Sequence, residues 1–407
     1  MPEKIVTKFL RLPNFRVIQT EFDEGSGEVS LSVERRGVRP VRFCSACGTG
    51  TTETYGEPTE ATYRDLPWGE WKVLVCVDKY RIRCPRCRKV KTERLSFADP
   101  RSHLTIRYET WVASDSRHMP LSKVAERHAL HWETVKLIDR KHLRLWAELR
   151  KRRPLRYIGI DEKSVKKGHH YLTIVSDLER REVIWIGEGR DEAAINPFFA
   201  VHLTPRRCRW IRAVCIDMAR AYANSVRRYC KNARIVYDKF HVLRLAGEAI
   251  DEVRRSEFFR LGGKRREIIK GKRWLFLRRW VHLAPDQKRA MTDLFRINRR
   301  LSKAYWLRET LSKLWQYTYR ASAYGFFTQW LHSLKWQRLN PFVKFARTLG
   351  RHIDGVLNYC DEKVPFGVVE ALNRTIDDLF RRARGYRDRE YLRLKIMFTT
   401  AHPESPV

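Results

Sequence analysis

The chain has no apolar run long enough to cross a bilayer, and its opening residues MPEKIVTKFLRLPNF lack the hydrophobic stretch of a secretion signal. A membrane-spanning or exported protein is therefore excluded as an expectation, and an intracellular one is expected. Acidic residues are scarce beside basic ones: 47 Asp plus Glu stand against 83 Lys plus Arg, a formal net charge of +36. That imbalance argues against a cationic partner and attracts polyanions, nucleic acid first among them. An anionic membrane surface fits less well, because the basic runs are interleaved with Trp and Leu across several segments rather than confined to one amphipathic helix. Nine cysteines, an odd number, do not make a disulfide framework; they suit thiols or metal ligands in a reducing compartment. No internal repeat is evident. What is present is enough apolar and aromatic material, 43% and 12% of 407 residues, to fill the cores of two to four domains.

Residues 1–100 read as β-rich. FRVIQTEF and VSLSVERR flank the polar turn DEGSGE, and WKVLVCVDKYRIRC alternates apolar and polar residues before reaching its cysteines. Residues 101–150 turn helical: Leu121, Val124 and Ala125 share one face, then Leu130, Val135, Ile138 and Leu145 another, with Ala129 to His131 as a break. The basic ELRKRRPLR follows as a linker. From Tyr157 the segments YIGIDE, HYLTIVSDL and EVIWIGEG, then helical INPFFAVHL, AVCIDMA, helical AYANSVRRYC and ARIVYDKF describe an α/β sheet with mixed strand directions, its first three strands antiparallel neighbours. Beyond His241 the chain is almost wholly helical, strongly basic and rich in Trp. The fold class is thus multidomain α+β.

Cys44 and Cys47 in CSACG, and Cys84 and Cys87 in CPRC, each follow strand-like sequence. A CxxC turn lets two sulfurs face one ion, and two such turns complete a four-thiolate zinc site. The alternative is a redox role, and the presence of both pairs in one β-rich segment favours structural zinc. Cys76 falls at an alternating position and is expected inward as a core thiol. Leu121 to Arg144 fits a helix-turn-helix whose second helix begins near Trp132 and offers Thr134, Lys136 and Arg140 to DNA; Lys151, Arg152 and Arg153 of the linker would add phosphate contacts. Any helical hairpin would give the same pattern.

The carboxylates carry the chemistry. Asp161 is expected to end the first strand of the sheet and Asp217 a later one, so that adjacency would bring both to one edge. Glu370 lies on a helix whose Val369, Leu372, Ile376, Leu379 and Ala383 form an apolar stripe, leaving Glu370, Asn373 and Asp377 on another face. Three converging carboxylates repel unless divalent cations neutralise them. Two Mg²⁺ ions would activate water against a phosphodiester and stabilise its leaving oxygen. Each acid taken singly also suits a turn or a helix cap. Glu162, next to Asp161, is expected on the opposite face of the strand.

The CSAC and CPRC segment, the helix-turn-helix, IGIDEKSVKKG, VCIDMARAY, VYDKFHVLRLA and VEALNRTIDDLFRRARGYRDREYLRLKIMF together resemble the ISL-three family of bacterial insertion-sequence transposases, over nearly the whole chain. The resemblance implies an RNase H-like catalytic domain carrying an Asp, Asp, Glu triad on Asp161, Asp217 and Glu370; Asn373 and the RARGY ending favour Glu370 over Asp361, Glu362 or Asp377. Asp238 to His241, DKFH, resembles the Asp-x-x-His signature of Mutator-like transposases, which implies a supporting role for Asp238 and His241; His241 as a helix cap is the alternative. The implied layout is a zinc ribbon (1–100), a helix-turn-helix (101–150), the catalytic domain's first part (151–250), a helical insertion (251–355) and its last part with the third carboxylate (356–400). The insertion's Arg, Lys and Trp would grip DNA backbones and stack on an unpaired base, with core packing the default for most of its Trp. The family also implies two Mg²⁺ or Mn²⁺ at the active site, structural Zn²⁺, binding of double-stranded DNA at inverted-repeat ends and target, 3′-end cleavage and strand transfer, a homodimer or larger assembly on paired ends, and a cytoplasmic, nucleoid-associated location. A nuclease or resolvase without strand transfer, and a catalytically dead DNA-binding regulator, are the rival readings.

Overall fold

The computed structural model describes residues 3–151, 153–166, 170–260, 267, 269–383 and 386–401. The chain folds into two compact units, Met1–Glu148 and Leu149–Val407. In the first, β1 (Phe15–Asp23) and β2 (Glu28–Arg35) form the expected hairpin, and β5 (Thr59–Trp68) and β6 (Trp71–Lys79) a second. The hairpins join through parallel pairing of β2 with β6, giving the order β1-β2-β6-β5. Period-two alternation turns Val29, Leu31 and Val33 of β2 and Val73, Val75 and Val77 of β6 to one face, against Val6 and Leu10 of helix Glu3–Leu10. Cys76 therefore points the other way, its sulfur 3.7 Å from the Thr62 hydroxyl, and the inward placement expected for it is corrected. A smaller sheet, β4-β3-β8-β7, is made of β3 (Arg42–Cys44), β4 (Gly50–Thr51), β7 (Arg81–Arg83) and β8 (Val90–Arg94).

Three helices follow: Ile106–His118, Leu121–His128 and Trp132–Leu149. Thr105 caps the first by accepting from the Tyr108 amide. Tyr108, Val112, Val124, Ala125, Val135 and Ile138 make their shared core. Leu143, 1% exposed, closes the inner stripe of the last helix, whereas Leu145 is 51% exposed. Val135, Asp139, His142 and Leu143 occupy the i, i+4, i+7 and i+8 rows, and Leu145 falls on the stripe's edge.

In the second unit β9 (Tyr157–Lys166), β10 (His170–Asp177), β11 (Glu182–Glu188), β12 (Ala213–Ile216) and β13 (Arg234–Tyr237) build a sheet in the order β11-β10-β9-β12-β13. The first three pair antiparallel; β9, β12 and β13 run parallel. Ile158, Ile160, Val214, Ile216 and Tyr237 turn to one face, with Tyr222 and Val226 of helix Arg220–Tyr229 and Val242 and Ala246 of helix Lys239–Arg260 in the same core. Ala213, Cys215 and Val236 turn to the other, covered by Leu372, Ile376 and Leu379 of helix Gly367–Ala383 and Leu392 and Ile396 of helix Arg389–Thr400. The first core runs on into the helices between Arg273 and Asp361. One of these, Ile353–Asp361, lies so close to β13 that a Cβ on Gly355 would stand 2.4 Å from the Tyr237 ring. Only glycine fits there.

Candidate active site and metal centre

Parallel pairing sets the carboxylates side by side. Ile160 of β9 is in register with Ile216 of β12, and Ile216 with Tyr237 of β13. One residue further along the three strands come Asp161, Asp217 and Asp238, a row of acids at one edge of the parallel set. Asp161 does not end its strand as expected: β9 continues to Lys166 along β10, and only its pairing with β12 stops at Ile160. The carboxylate thus emerges just past the point where the β9–β12 pairing stops.

Each acid is anchored by its own backbone. Asp161 Oδ1 accepts from the Glu162 amide at 2.9 Å, Asp217 Oδ1 from Ala219 and Asp238 Oδ1 from Phe240, both also at 2.9 Å. The second oxygen of Asp161 accepts from Asn373 Nδ2 at 2.6 Å. His241 Nδ1 lies 3.1 Å from Asp238 Oδ2. Burial pushes the Asp161 carboxyl above the ordinary carboxylate range; Asn373, His241 and the Glu162 amide oppose this, and the Asp217 charge adds to it. The hydrogen bond to Asp238 raises the His241 imidazole, against its burial. Glu162 belongs to the other face, where its charge is felt by Tyr222, a phenol that burial pushes up to about 12.

Asn373 arrives on helix Gly367–Ala383, which lies against β9 because Gly159 has no side chain: a Cβ there would meet Val369 Cγ2 at 2.8 Å. Lys163, two residues beyond Asp161 and so on the same strand face, reaches the Asn373 carbonyl at 3.4 Å and the Asp377 carboxylate at 2.6 Å. Period two could have singled it out; sequence reasoning passed it over. Glu370 lies one turn before Asn373, exposed and ion-paired with Arg374. Asp361 pairs with Arg234, and Glu362 accepts from the Tyr157 hydroxyl at 2.9 Å, so both acids sit by the beginnings of the parallel strands, away from the Asp161 edge. Asp161 and Asp217 supply hard oxygen donors whose mutual repulsion a divalent cation would relieve, so the donor set fits Mg²⁺ or Mn²⁺.

Among the described residues one group of three or more candidate ligands converges, Cys44, Cys47, Cys84 and Cys87, with all four sulfurs within 4.8 Å of one another. Both CxxC turns fold alike. Gly48 N donates to Cys44 O and Arg88 N to Cys84 O, each at 2.9 Å, and Gly48 and Arg88 take positive φ of 74° and 53°. The Cys47 and Cys84 sulfurs are 3.5 Å apart, close to the roughly 3.8 Å edge of a tetrahedron with Zn–S bonds of about 2.3 Å. The Thr49 hydroxyl draws the Cys47 thiol down to about 6, and the hydrogen bond with Cys47 holds Cys87 up at about 12. The set fits zinc, which would hold four thiolates.

The tight turn between Leu121–His128 and Trp132–Leu149 is made by Ala129 in the left-handed region, φ 46° and ψ 53°, with Leu130 N donating to Ala125 O at 3.0 Å. Thr134, Lys136 and Arg140 are partly exposed on the second helix, and the Lys136 ammonium lies 5.8 Å from the Trp132 ring. Lys151 and Arg153 are exposed; Arg152 lies outside the described residues.

Residues 158–396 match a family model described as a transposase, the DDE transposase family ISL3, and 93–143 match the helix-turn-helix domain of transposase family ISL3. The chain belongs to the ISL3 transposase family. It is 34% identical to the transposase for insertion sequence element IS1001 of Bordetella parapertussis, with 94% of each chain covered. It is 27% identical to the transposase for insertion sequence element IS1557 of Mycobacterium tuberculosis, with 94% of this chain and 90% of that one covered. An ISL3 transposase with a helix-turn-helix binds DNA, and the family's chemistry uses divalent metal. Among the described residues no helix is long and apolar enough to cross a membrane.

Proposed function

We propose that this ISL3 transposase binds the inverted-repeat ends of its element, cleaves the DNA to free a 3′ hydroxyl and joins that hydroxyl to target DNA. The observation that carries the reading is the register of β9 with β12, which leaves Asp161 and Asp217 adjacent at the strand-pairing edge. The sheet order, with three antiparallel strands followed by two parallel ones, supports an RNase H-like catalytic domain, here with residues 251–355 as its helical insertion. The zinc ribbon of residues 1–100 and the helix-turn-helix of 101–150 precede it, with zinc as a structural ion on the four cysteines.

Asp161 and Asp217 would share the divalent ions, and Glu370 would complete the set from its helix. Bound there, two such ions supply Lewis acidity to an in-line displacement at phosphorus. Asn373 fixes the Asp161 carboxylate through its 2.6 Å hydrogen bond. Lys163 ties the Asn373 and Asp377 turns to the same strand, so the helix bearing Glu370 is aligned with β9. Asp238 orients the His241 ring beside the row of acids. To join that set the Glu370 carboxylate would give up its contact with Arg374, at small expense because an exposed ion pair contributes little. Two ends must be handled together, and a dimer or larger assembly on DNA in the cytoplasm and nucleoid is part of the proposal.

The test is replacement of Asp161, Asp217 and Glu370 singly by Ala. Each is expected to lower Mg²⁺-dependent end cleavage by about a thousandfold while leaving end binding intact. Near-normal cleavage by any variant removes that residue from the triad, and cleaved ends that never become joined to target would make the enzyme a nuclease.

A further inference from the structure

Between helices Arg320–Leu334 and Asn340–Arg351 the chain turns through Lys335 to Leu339. Leu334 and Leu339 are buried at the two ends of this turn, yet Trp336 between them is 87% exposed, the most exposed aromatic side chain among the described residues. Its φ is +146°, and Arg338 has φ +52°. A bulky residue rarely accepts a positive φ, and two in one short connection mean that the packing of both helices enforces the geometry. The turn is fixed from outside as well: Arg300 donates to Arg338 O at 3.1 Å.

An apolar cleft of about 570 Å³ opens beside the turn, lined by Leu331, Leu334, Val343 and Ala346 with Lys335 and Arg347 on its rim. Hydrophobicity alone would fold a neighbouring indole into such a cleft. The strained backbone instead holds Trp336 in water. The charge around it has one sign: from Arg320 to Arg351 there is no Asp or Glu, against six Lys and Arg. Lys335 Nζ lies 5.8 Å from the indole centroid, and Lys344 and Arg347 are exposed nearby along the next helix.

A flat ring presented to solvent within a cationic field complements a nucleobase whose face is free and whose phosphates lie alongside. A paired base inside a duplex has no free face to offer. We propose that the Lys335–Leu339 turn is a site for an unpaired DNA base, stacked on Trp336, with Lys335, Arg338 and Arg347 taking the adjoining phosphates. The inference rests on DNA as the ligand of this transposase, and it is independent of the carboxylate triad.

The test uses the full chain with no Mg²⁺ or Mn²⁺ added and no chelator, so that no cleavage occurs and any ion on the four cysteines stays in place, with two oligonucleotides carrying an element end. One ends in an unpaired 2-aminopurine and the other is blunt with 2-aminopurine paired. Wild type should quench the unpaired probe on binding. Trp336→Ala should abolish the quench and weaken binding to the overhang about tenfold to a hundredfold, leave the blunt duplex affinity unchanged, and keep its melting temperature; Trp336→Phe should retain part of the quench. Equal overhang binding and quench by Trp336→Ala overturns the site, as does an equal loss on both probes. Wild type binding neither probe would instead overturn DNA end recognition itself.

Discussion

Asp161 carries an electrostatic penalty that its role would convert into affinity. Burial and the nearby Asp217 charge hold its carboxyl above the ordinary value of about 3.9. The folded chain therefore binds this proton more tightly than the unfolded one. Stability from Asp161 is complete below the unfolded value and is lost as the pH rises through the folded one. Above the folded value, with no Mg²⁺ added, the ionised carboxylate makes the fold less stable than the protonated form does, and a cation beside it should reverse the effect. Asp161→Asn is accordingly expected to melt no lower than wild type without added Mg²⁺, and Mg²⁺ to raise the melting temperature of wild type but not of the variant. Circular dichroism melts with and without Mg²⁺ check this; a variant markedly less stable without Mg²⁺ would make Asp161 a structural acceptor. Asn373 is a positioning residue in the same cluster. Asn373→Ala should lower cleavage about tenfold to a hundredfold and raise the Mg²⁺ concentration needed for half-maximal rate, a shift that loss of helix packing alone would not produce.

At the scale of elements, the turn of the helix-turn-helix stores strain at a named place. Ala129 adopts φ 46°, where an L side chain crowds the following carbonyl. Ala129→Gly should stabilise the first unit by about 1 kcal/mol, measured by urea denaturation, with DNA binding kept. A zinc ion on the four cysteines would tie the turn after β3 to the turn between β7 and β8, at the two ends of a long connection. Zinc removal, or Cys84→Ser, should release one ion per chain and disorder the small sheet while the β1-β2-β6-β5 sheet, which has its own core, persists. Local pattern made much of this legible: alternation marked the hairpins, the CxxC spacing marked the sulfur cluster, and the break at Ala129 to His131 marked the turn. Facing directions were harder. Cys76 and Leu145 lie at stripe edges or alternate positions whose sense is decided by what packs against them, the parallel β2–β6 pairing and the core of Tyr108 and Val112. The meeting of Asp161 with Asp217 depends on pairing between strands remote in sequence, which composition and period do not encode. Helix periodicity put Glu370 and Asn373 together, but the Asn373 bond to Asp161 and the Arg374 partner of Glu370 are tertiary and local accidents of side-chain reach.

For the whole molecule, a formal net charge of +36 makes DNA affinity salt-dependent whichever residues touch bases. Binding to an element end should weaken linearly on a logarithmic salt scale, with each neutralised phosphate contributing about 0.9 to the slope. Residues of the two kinds can then be told apart. Lys151 and Arg153 are exposed cations in an irregular linker, without a rigid element to aim them at base edges. Replacing both by Ala should lower the slope by about 2 and weaken specific and non-specific DNA alike. Thr134 and Arg140 lie on one rigid helix behind the tight turn, the arrangement that enters a major groove. Their replacement should cost about 1–3 kcal/mol against the cognate end for each base edge no longer read and leave random-sequence binding nearly unchanged. Titrations of cognate and scrambled duplexes at several salt concentrations measure both quantities. A linker variant without sequence preference, or a helix variant changed in slope alone, would reverse the assignment of which surface reads the DNA and which one holds it.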